Sequence, residues 1–463
     1  MSPDGPLARA RRRLLPGGLE VDLRPRHPAQ VISIAFALGI GLGTLLLRLP
    51  VSATDDEGTS WLQALFTATS AVCVTGLAVV DTGTHWTPFG QAVILAGIQV
   101  GGIGIMTLAS VLALLVSRRL GLRSRLLTQT ETAAFGLGDV RGVVLAVLRT
   151  SLLIEGVVAA LLTARFALAY DMGFGTALWQ GVFHSVSAFN QAGFTLPATG
   201  LTEYVGDPWV CLPIALAVVL GGLGFPVLVE LLRERRTPQS WSLHTKITLA
   251  GSAVLLVGGF LMITAFEWSN PGTFGPLSWP QKVLAGVFHT VQPRSAGFNT
   301  LDYGEMRDVT WLGTDALMFI GGGSASTAGG IKVTTFFVLL FAIVAEARGD
   351  AYVQAFRRRI PAATLRLAVS VALLGVAWVF LGTLLLLALT EQPLDRVLFE
   401  SASAFGTAGL STGITADLPQ PAHYVLVVLM FVGRVGIVTA ASALALRERK
   451  QLYAYPEERM LIG

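Results

Sequence analysis

Charge is scarce in this chain. Asp, Glu, Lys and Arg together make up 13% of its 463 residues, where a soluble domain carries roughly 25%. With 53% hydrophobic residues, too little polar surface remains to cover a water-soluble globule, and a disordered or nucleic-acid-coating protein is excluded as well. Cysteine is scarcer still. Cys73 and Cys211 are the only two, both in apolar stretches, so neither a disulfide framework nor a thiolate metal site is indicated. Six histidines, with no nucleophile–base spacing and no clustered metal ligands, offer nothing from which to assemble an active site. The chain does not read as an enzyme. It also lacks a helix with arginine at every third position, the mark of a voltage sensor. What it has is apolar length: charge-free stretches of about 17–25 residues, enough to cross a bilayer, recur from end to end. They predict a polytopic integral membrane protein.

Most of the few cations fall in clusters: Arg9, Arg11, Arg12, Arg13, Arg24 and Arg26; Arg118, Arg119, Arg123 and Arg125; Arg233, Arg235, Arg236 and Lys246; Arg348, Arg357, Arg358, Arg359 and Arg366; and Arg447, Arg449 and Lys450. Between them the loops lean acidic, with Asp55, Asp56, Glu57, Asp171, Glu203, Asp207, Glu267, Asp302 and Glu305. Cytoplasmic loops of membrane proteins are enriched in Lys and Arg, which places every basic cluster, and both termini, inside. Four excursions result, at 29–117, 142–232, 246–346 and 363–446, between cytoplasmic tails at 1–28 and 447–463. The first apolar run is too long for a cleavable signal and has no small-residue cleavage site. Each excursion predicts two full-length helices (29–47 with 88–117, 142–168 with 208–232, 246–267 with 311–346, 363–390 with 422–446) around a short semi-polar segment. At about 10–13 residues those segments are too short to span and predict re-entrant helices. Two of them open with a capping-box pattern, Ser60-Trp61-Leu62-Gln63 and Ser278-Trp279-Pro280-Gln281. The expected fold is therefore an all-α membrane protein with eight spans and four re-entrant segments, and no sizeable soluble domain.

The four short segments also resemble one another. Each runs from a phenylalanine to a glycine-apolar pair: Phe66 to Gly76-Leu77, Phe183 to Gly193-Phe194, Phe288 to Gly297-Phe298 and Phe399 to Gly409-Leu410. The Phe–Gly spacing is ten in three copies and nine in the third. Non-helical backbone at membrane depth is tolerated only where it is buried in protein or lines a wet cavity. Glycine permits backbone angles that direct carbonyls inward, and rings of carbonyls can replace the hydration shell of a monovalent cation. The quartets Val74-Thr75-Gly76-Leu77, Gln191-Ala192-Gly193-Phe194, Ser295-Ala296-Gly297-Phe298 and Thr407-Ala408-Gly409-Leu410 are thus candidate filter strands. None contains a carboxylate, which argues against a calcium filter built on acidic rings. The plainer alternative is four close-packing glycine turns with no ion, which does not require the same turn at the same place four times.

With these quartets the chain resembles the Trk/Ktr/HKT superfamily of potassium transporters over roughly residues 29–450, and within it the Ktr-type pore subunit, since one span precedes the first short segment. The resemblance implies four pseudo-repeats of helix, pore helix and helix around one pore, with potassium bound along the quartets as the only metal. It implies that Gly76 marks the potassium-selective pattern. It also implies a homodimer and a separate cytosolic ring of nucleotide-binding, RCK-type subunits, so that nucleotide acts only through that partner. The basic loops at Arg118, Arg119, Arg123 and Arg125, at Arg233, Arg235 and Arg236, and at Arg357, Arg358 and Arg359 would be the docking face. The tail at 453–463, ending in Met460-Leu461-Ile462 before the last glycine, would be an apolar contact across the two-fold. Lipid is the surrounding medium, and no nucleic acid is expected. Whether sodium or protons couple to transport stays open, and another four-repeat monovalent cation channel or a proton-coupled symporter is the alternative.

Several other residues stand out. Glycines cluster at 321–330, and five of them in ten residues cannot hold a stable helix. The stretch is either a kink or, given its hydroxyls and the mid-span Lys332, a functional loop. The superfamily places a pore-obstructing gate loop there, which here assigns Gly321, Gly322, Ser326, Thr327, Gly329, Gly330 and Lys332. Arg434, set between Gly433 and Gly436 in the last span, is either paired structurally or faces the pore. The resemblance makes it an electrostatic barrier below the filter. Thr67, His184, His289 and Glu400 share one column after the phenylalanine and fit hydrogen-bonded anchors better than a proton relay. Arg294 is expected to pair with an acidic group, Glu400 being one candidate. Glu155 has no assignable partner, and Gly101-Gly102-Ile103-Gly104 lacks the strand and acidic residue of a dinucleotide fingerprint and fits helix packing.

Overall fold

The structure is a computed structural model that describes residues 28–54, 58–119, 140–436 and 439. Expectations for the N-terminal tail, for Arg123 and Arg125, and for the C-terminal tail fall outside these residues. The chain is helical, in the order α1 (Pro28–Leu47), α2 (Trp61–Val72), α3 (Pro88–Arg119), α4 (Val140–Ala169), α5 (Phe174–Phe189), α6 (Pro208–Leu223), α7 (Phe225–Arg233), α8 (Leu243–Glu267), α9 (Trp279–Val291), α10 (Asp308–Phe319), α11 (Val333–Arg348), α12 (Ala362–Leu389), α13 (Leu394–Gly406) and α14 (Gln420–Phe431). Four times a long helix leads into a short one and a further helical stretch follows.

Starts and stops follow local chemistry. The Ser60 hydroxyl accepts from the Gln63 amide at 3.2 Å while Gln63 Oε1 accepts from the Ser60 amide at 2.9 Å, a reciprocal cap on α2. At α9, Gln281 Oε1 takes the Ser278 amide at 3.0 Å and its hydroxyl at 2.8 Å. Asp207 caps α6 through the Trp209 amide at 2.9 Å and, with Arg165 at 2.7 Å and Tyr170 at 2.9 Å, ties that corner to the end of α4. Proline opens α3, α6 and α1, where its missing N–H has no partner to lose.

Among the described residues five helices are long and apolar enough to cross a membrane: Gln30–Leu47, Pro88–Ser110, Arg141–Ala169, Leu243–Glu267 and Ala362–Leu389. The remaining three full-length helices expected from the sequence are interrupted. The stretch 208–232 is not one straight helix, because α6 and α7 meet at Gly224 with a 98° bend. Gly224 has φ +91°, and a Cβ there would stand 2.4 Å from the Ser324 carbonyl oxygen. The third excursion leaves the helix between α10 and α11, where Ile320 and Ile331 form a short parallel bridge. In the fourth, α14 gives way to a π-turn at Val432–Gly436. The short helix α5 has 16 residues and exceeds the expected length.

The exterior is apolar, with Leu38, Leu153, Leu168, Leu212, Leu373 and Phe380 presented outward. The interior holds an unusual share of polar side chains, including Glu155, His184, His289, Glu400 and Arg434. That inversion suits a bilayer, where the solvent is apolar and polar groups must find partners inside. Helices close tightly at glycine. A Cβ on Gly101 would lie 2.0 Å from the Val72 carbonyl oxygen and one on Gly102 2.0 Å from Asn190 Oδ1, so this run is a packing surface for α2 and α5. The basic stretch at Arg357–Arg359 is an exposed hairpin, Gln354–Ala355 against Arg358–Arg359, turning through Phe356 and Arg357 at positive φ.

Candidate functional site

The four quartets, scattered over the length of the chain, meet at one place. A Cβ added to Gly76 would sit 2.4 Å from the Ala192 carbonyl oxygen; on Gly193, 2.6 Å from that of Ala296; on Gly297, 2.5 Å from that of Ala408; and on Gly409, 2.1 Å from that of Thr75. Each glycine therefore faces the carbonyl of the next quartet, and the series closes on itself. The conformation repeats as well. Gly76, Gly193, Gly297 and Gly409 have φ of +96°, +69°, +79° and +77°, and Val74, Gln191, Ser295 and Thr407 have φ of +56°, +62°, +79° and +46°. A left-handed angle at a non-glycine residue costs roughly 1–2 kcal/mol, and here it occurs at the same position four times.

Hydrogen bonds from the short helices hold that shape. The amides of Thr75, Ala192 and Ala408 donate to the carbonyls of Ser70, Ser187 and Ser403 at 2.8, 2.7 and 2.8 Å. In the third copy, one residue shorter, Ala296 and Gly297 both donate to the Gln292 carbonyl, at 3.0 and 3.2 Å. Side chains at that column add to it. Ser70 Oγ accepts from the Gly76 amide at 3.0 Å, Ser187 Oγ donates to the Phe194 carbonyl at 2.9 Å, and Gln292 Oε1 accepts from the Phe298 amide at 3.3 Å. Sequence reasoning passed over these residues, although Ser70, Ser187, Gln292 and Ser403 each lie four positions after the marker phenylalanine.

Behind the second quartet lies a network that answers the question of Glu155. Its Oε2 accepts from Gln99 Nε2 at 2.8 Å and its Oε1 from Asn190 Nδ2 at 3.0 Å, while Asn190 Nδ2 also reaches Gln99 Oε1 at 2.9 Å. Three helices, α3, α4 and α5, are thereby joined directly before Gln191. Glu155→Leu should strip Gln99 Nε2 of its acceptor, at about 1–3 kcal/mol, take one of three from Asn190 Nδ2, and lower the melting temperature of the purified protein. Glu155→Gln, which keeps an acceptor, should recover most of it.

In the Thr67 column, His289 bonds Tyr303 Oη at 3.0 Å and Thr300 Oγ1 at 3.1 Å, and Glu400 accepts from Ser411 Oγ at 2.5 Å, the Thr412 amide at 3.2 Å and Thr415 Oγ1 at 2.9 Å. Both tie a short helix to the loop after its quartet. His184 bonds the Gln180 carbonyl of its own helix at 2.8 Å, and the Thr67 hydroxyl makes no hydrogen bond. The expected pairing of Arg294 with Glu400 does not form. Arg294 Nη2 donates to Ser252 Oγ at 3.1 Å and the Gly321 carbonyl at 3.4 Å, because the short third copy turns it toward α8 rather than toward α13.

The segment 320–332 packs against the ring's edge. The Gly323 and Thr327 amides donate to the carbonyls of Gly222 and Gly221 at 2.7 and 3.2 Å, and Thr327 Oγ1 to that of Phe189 at 3.1 Å. Ser326 Oγ closes on the Gly323 carbonyl at 2.6 Å, and Lys332 Nζ on that of Ala328 at 2.5 Å. Gly321 donates to the Ile331 carbonyl at 2.9 Å, Gly330 takes φ +63°, and a Cβ on Gly322 would lie 2.7 Å from the Gly222 carbonyl oxygen. Arg434, buried in the π-turn, donates Nη1 to the Thr327 carbonyl and Nη2 to that of Gly101 at 3.3 Å. It thus pins the loop to α3, and all the residues assigned to a gate do come together.

An apolar exterior, a buried polar interior and a closed ring of backbone carbonyls define a multi-pass membrane transport protein. The chain belongs to the TrkH family of cation transport proteins, whose family model matches residues 20–452. Its members are membrane cation transporters, not enzymes. The chain is 42% identical to Ktr system potassium uptake protein B of Bacillus subtilis, over 94% of this chain and 97% of that protein. It is 33% identical to the potassium/sodium uptake protein NtpJ of Enterococcus hirae, over 94% and 97%. The crystal structure of the potassium transporter TrkH from Vibrio parahaemolyticus shares the fold, with a TM-score of 0.70 at 17% identity over 90% of this chain and 84% of that one.

Proposed function

We propose that this protein takes up potassium across the cytoplasmic membrane of a bacterial-type cell, through a selectivity filter formed by the four quartets. The observation that carries the reading is the ring itself: four glycines, each against the next quartet's carbonyl. Backbone carbonyls on one axis suit a dehydrated monovalent cation, and the absence of carboxylates in the quartets disfavours a divalent one. Relatives named for potassium and for potassium/sodium uptake support the same substrate class. In this reading the four excursions cross the membrane eight times with both termini cytoplasmic, α2, α5, α9 and α13 are pore helices, and the 320–332 segment with Arg434 is the gate. The protein would act as a homodimer, regulated by a cytosolic nucleotide-binding ring.

The test is growth of an uptake-deficient strain at limiting potassium. Expression should restore growth, rubidium should compete with uptake, and sodium should not block it; omitting sodium separates a coupled transporter from a plain channel. No rescue by well-inserted protein would sink the proposal. Docking is tested at the exposed hairpin. Arg357→Glu with Arg358→Glu should abolish co-purification with the cognate cytosolic subunit, leaving Arg359 stacked on Tyr352 at 3.5 Å. Binding at wild-type strength would remove this hairpin from the contact.

A further inference from the structure

We propose that Ser295 couples the intramembrane loop to the filter, one hydroxyl accepting from the loop amide of Gly329 and donating to the Thr407 carbonyl of the fourth quartet. This rests on the reading of the ring as filter and of 320–332 as gate.

The geometry is that of a relay through one proton. The Gly329 N–H donates to Ser295 Oγ at 2.9 Å, and Ser295 Oγ donates to the Thr407 carbonyl at 2.9 Å, with Thr407 Oγ1 at 3.1 Å as an alternative partner. All three residues are buried, so water does not compete. A donor acting on the hydroxyl oxygen polarises its O–H and strengthens the next bond in the chain. While the loop is in place, the Thr407 carbonyl is therefore held by the hydroxyl. When Gly329 leaves, the hydroxyl is free to turn to Thr407 Oγ1, and the carbonyl is released to meet an ion.

Neighbouring contacts make the third quartet the one that feels the loop. Arg294 holds the loop's other end through the Gly321 carbonyl at 3.4 Å. A Cβ on Gly329 would lie 2.1 Å from Thr407 Oγ1, so the loop sits directly on that residue. At the equivalent positions Val74 has no polar group, and the Gln191 amide donates to the Val218 carbonyl at 2.9 Å. Opening the loop then does two things at once, since it clears the path and completes the ring of ligands at the end of the filter nearest the loop.

The test uses the full chain in proteoliposomes, with initial potassium flux and the potassium concentration giving half-maximal flux as readouts. Ser295→Ala should raise flux and lower the half-maximal concentration roughly three- to ten-fold, the span corresponding to one hydrogen bond's net contribution. Gly329→Ala, whose Cβ would meet Thr407 Oγ1 and push the loop amide away from Ser295, should do the same. The double variant should do no more than the stronger single one, the sign of a shared interaction. Ser295→Cys, with a weak donor of similar volume, should fall between wild type and Ser295→Ala. A shift in Ser295→Ala with wild-type behaviour in Gly329→Ala would overturn the relay and leave Ser295 a filter residue alone. Unchanged half-maximal concentrations in all variants would overturn it too. Absence of potassium flux in the wild-type chain would instead overturn the filter reading itself.

Discussion

Gly76→Ser is expected to collapse discrimination between potassium and sodium, if the proposed filter reading holds, while the protein still inserts and stays monodisperse in detergent. A side chain at Gly76 has nowhere to go: its Cβ would lie 2.4 Å from the Ala192 carbonyl oxygen and 3.2 Å from the Gly193 Cα. The backbone at φ +96° is strained for any L-residue. Both conflicts fall on backbone rather than on a side chain that could swing aside, so the Ala192 carbonyl must move. If that oxygen helps replace a hydration shell, a displacement favours the smaller ion. The potassium-over-sodium flux ratio should fall at least about tenfold, equivalent to ~1.4 kcal/mol. Gly409→Ser, with its closer approach of 2.1 Å to the Thr75 carbonyl oxygen, should be at least as severe. Gly156→Ala serves as a control, with no atom within 4 Å of the added Cβ. An unchanged ratio in Gly76→Ser would take this residue out of the filter.

Arg434→Ala is expected to raise potassium flux and to leave the selectivity ratio where it was. The guanidinium is buried beneath the ring and holds the Thr327 carbonyl to the Gly101 carbonyl across the loop. Removing it unpins the loop from α3 and, in the proposed gate reading, deletes a positive charge from the cation's path. At an effective dielectric near 20, a like charge a few ångströms away costs about 4 kcal/mol, so an increase of ten-fold or more in rubidium flux is expected. Glycine neighbours at 433 and 436 leave the π-turn itself intact, and Arg434→Lys, which keeps the charge, should stay near the wild-type flux. Should Arg434→Ala instead aggregate in detergent, the arginine is a structural pin first and a barrier second.

Much of this site was visible in the sequence where backbone geometry forces residue choice. A carbonyl approaching within contact distance of the neighbouring strand leaves room for glycine alone, so Gly76, Gly193, Gly297 and Gly409 stood out by spacing. The left-handed Val74, Gln191, Ser295 and Thr407 did not, because nothing in a valine or a threonine announces such an angle; it is imposed by the bond from the following amide back into the short helix. Partners across the fold were equally hidden. Glu155 meets Asn190 only because α4 and α5 pack side by side, and Arg294 misses Glu400 because the third copy is one residue short. The bend at Gly224 had a local cue in the proline at 226, masked by the apolar run around it.

The circular order of the ring has a consequence for how the protein is made. Its final contact joins Gly409 to Thr75, and the Arg434–Gly101 bond beside it spans 333 positions. Contacts so far apart along the chain carry the largest loop-closure cost and form late. Gly76 meets Ala192 once the second quartet is in place, but the Thr75 carbonyl has no facing glycine until the last excursion has folded. A chain released before that point holds three of the four quartets, and its ring stays open between Gly409's place and Thr75.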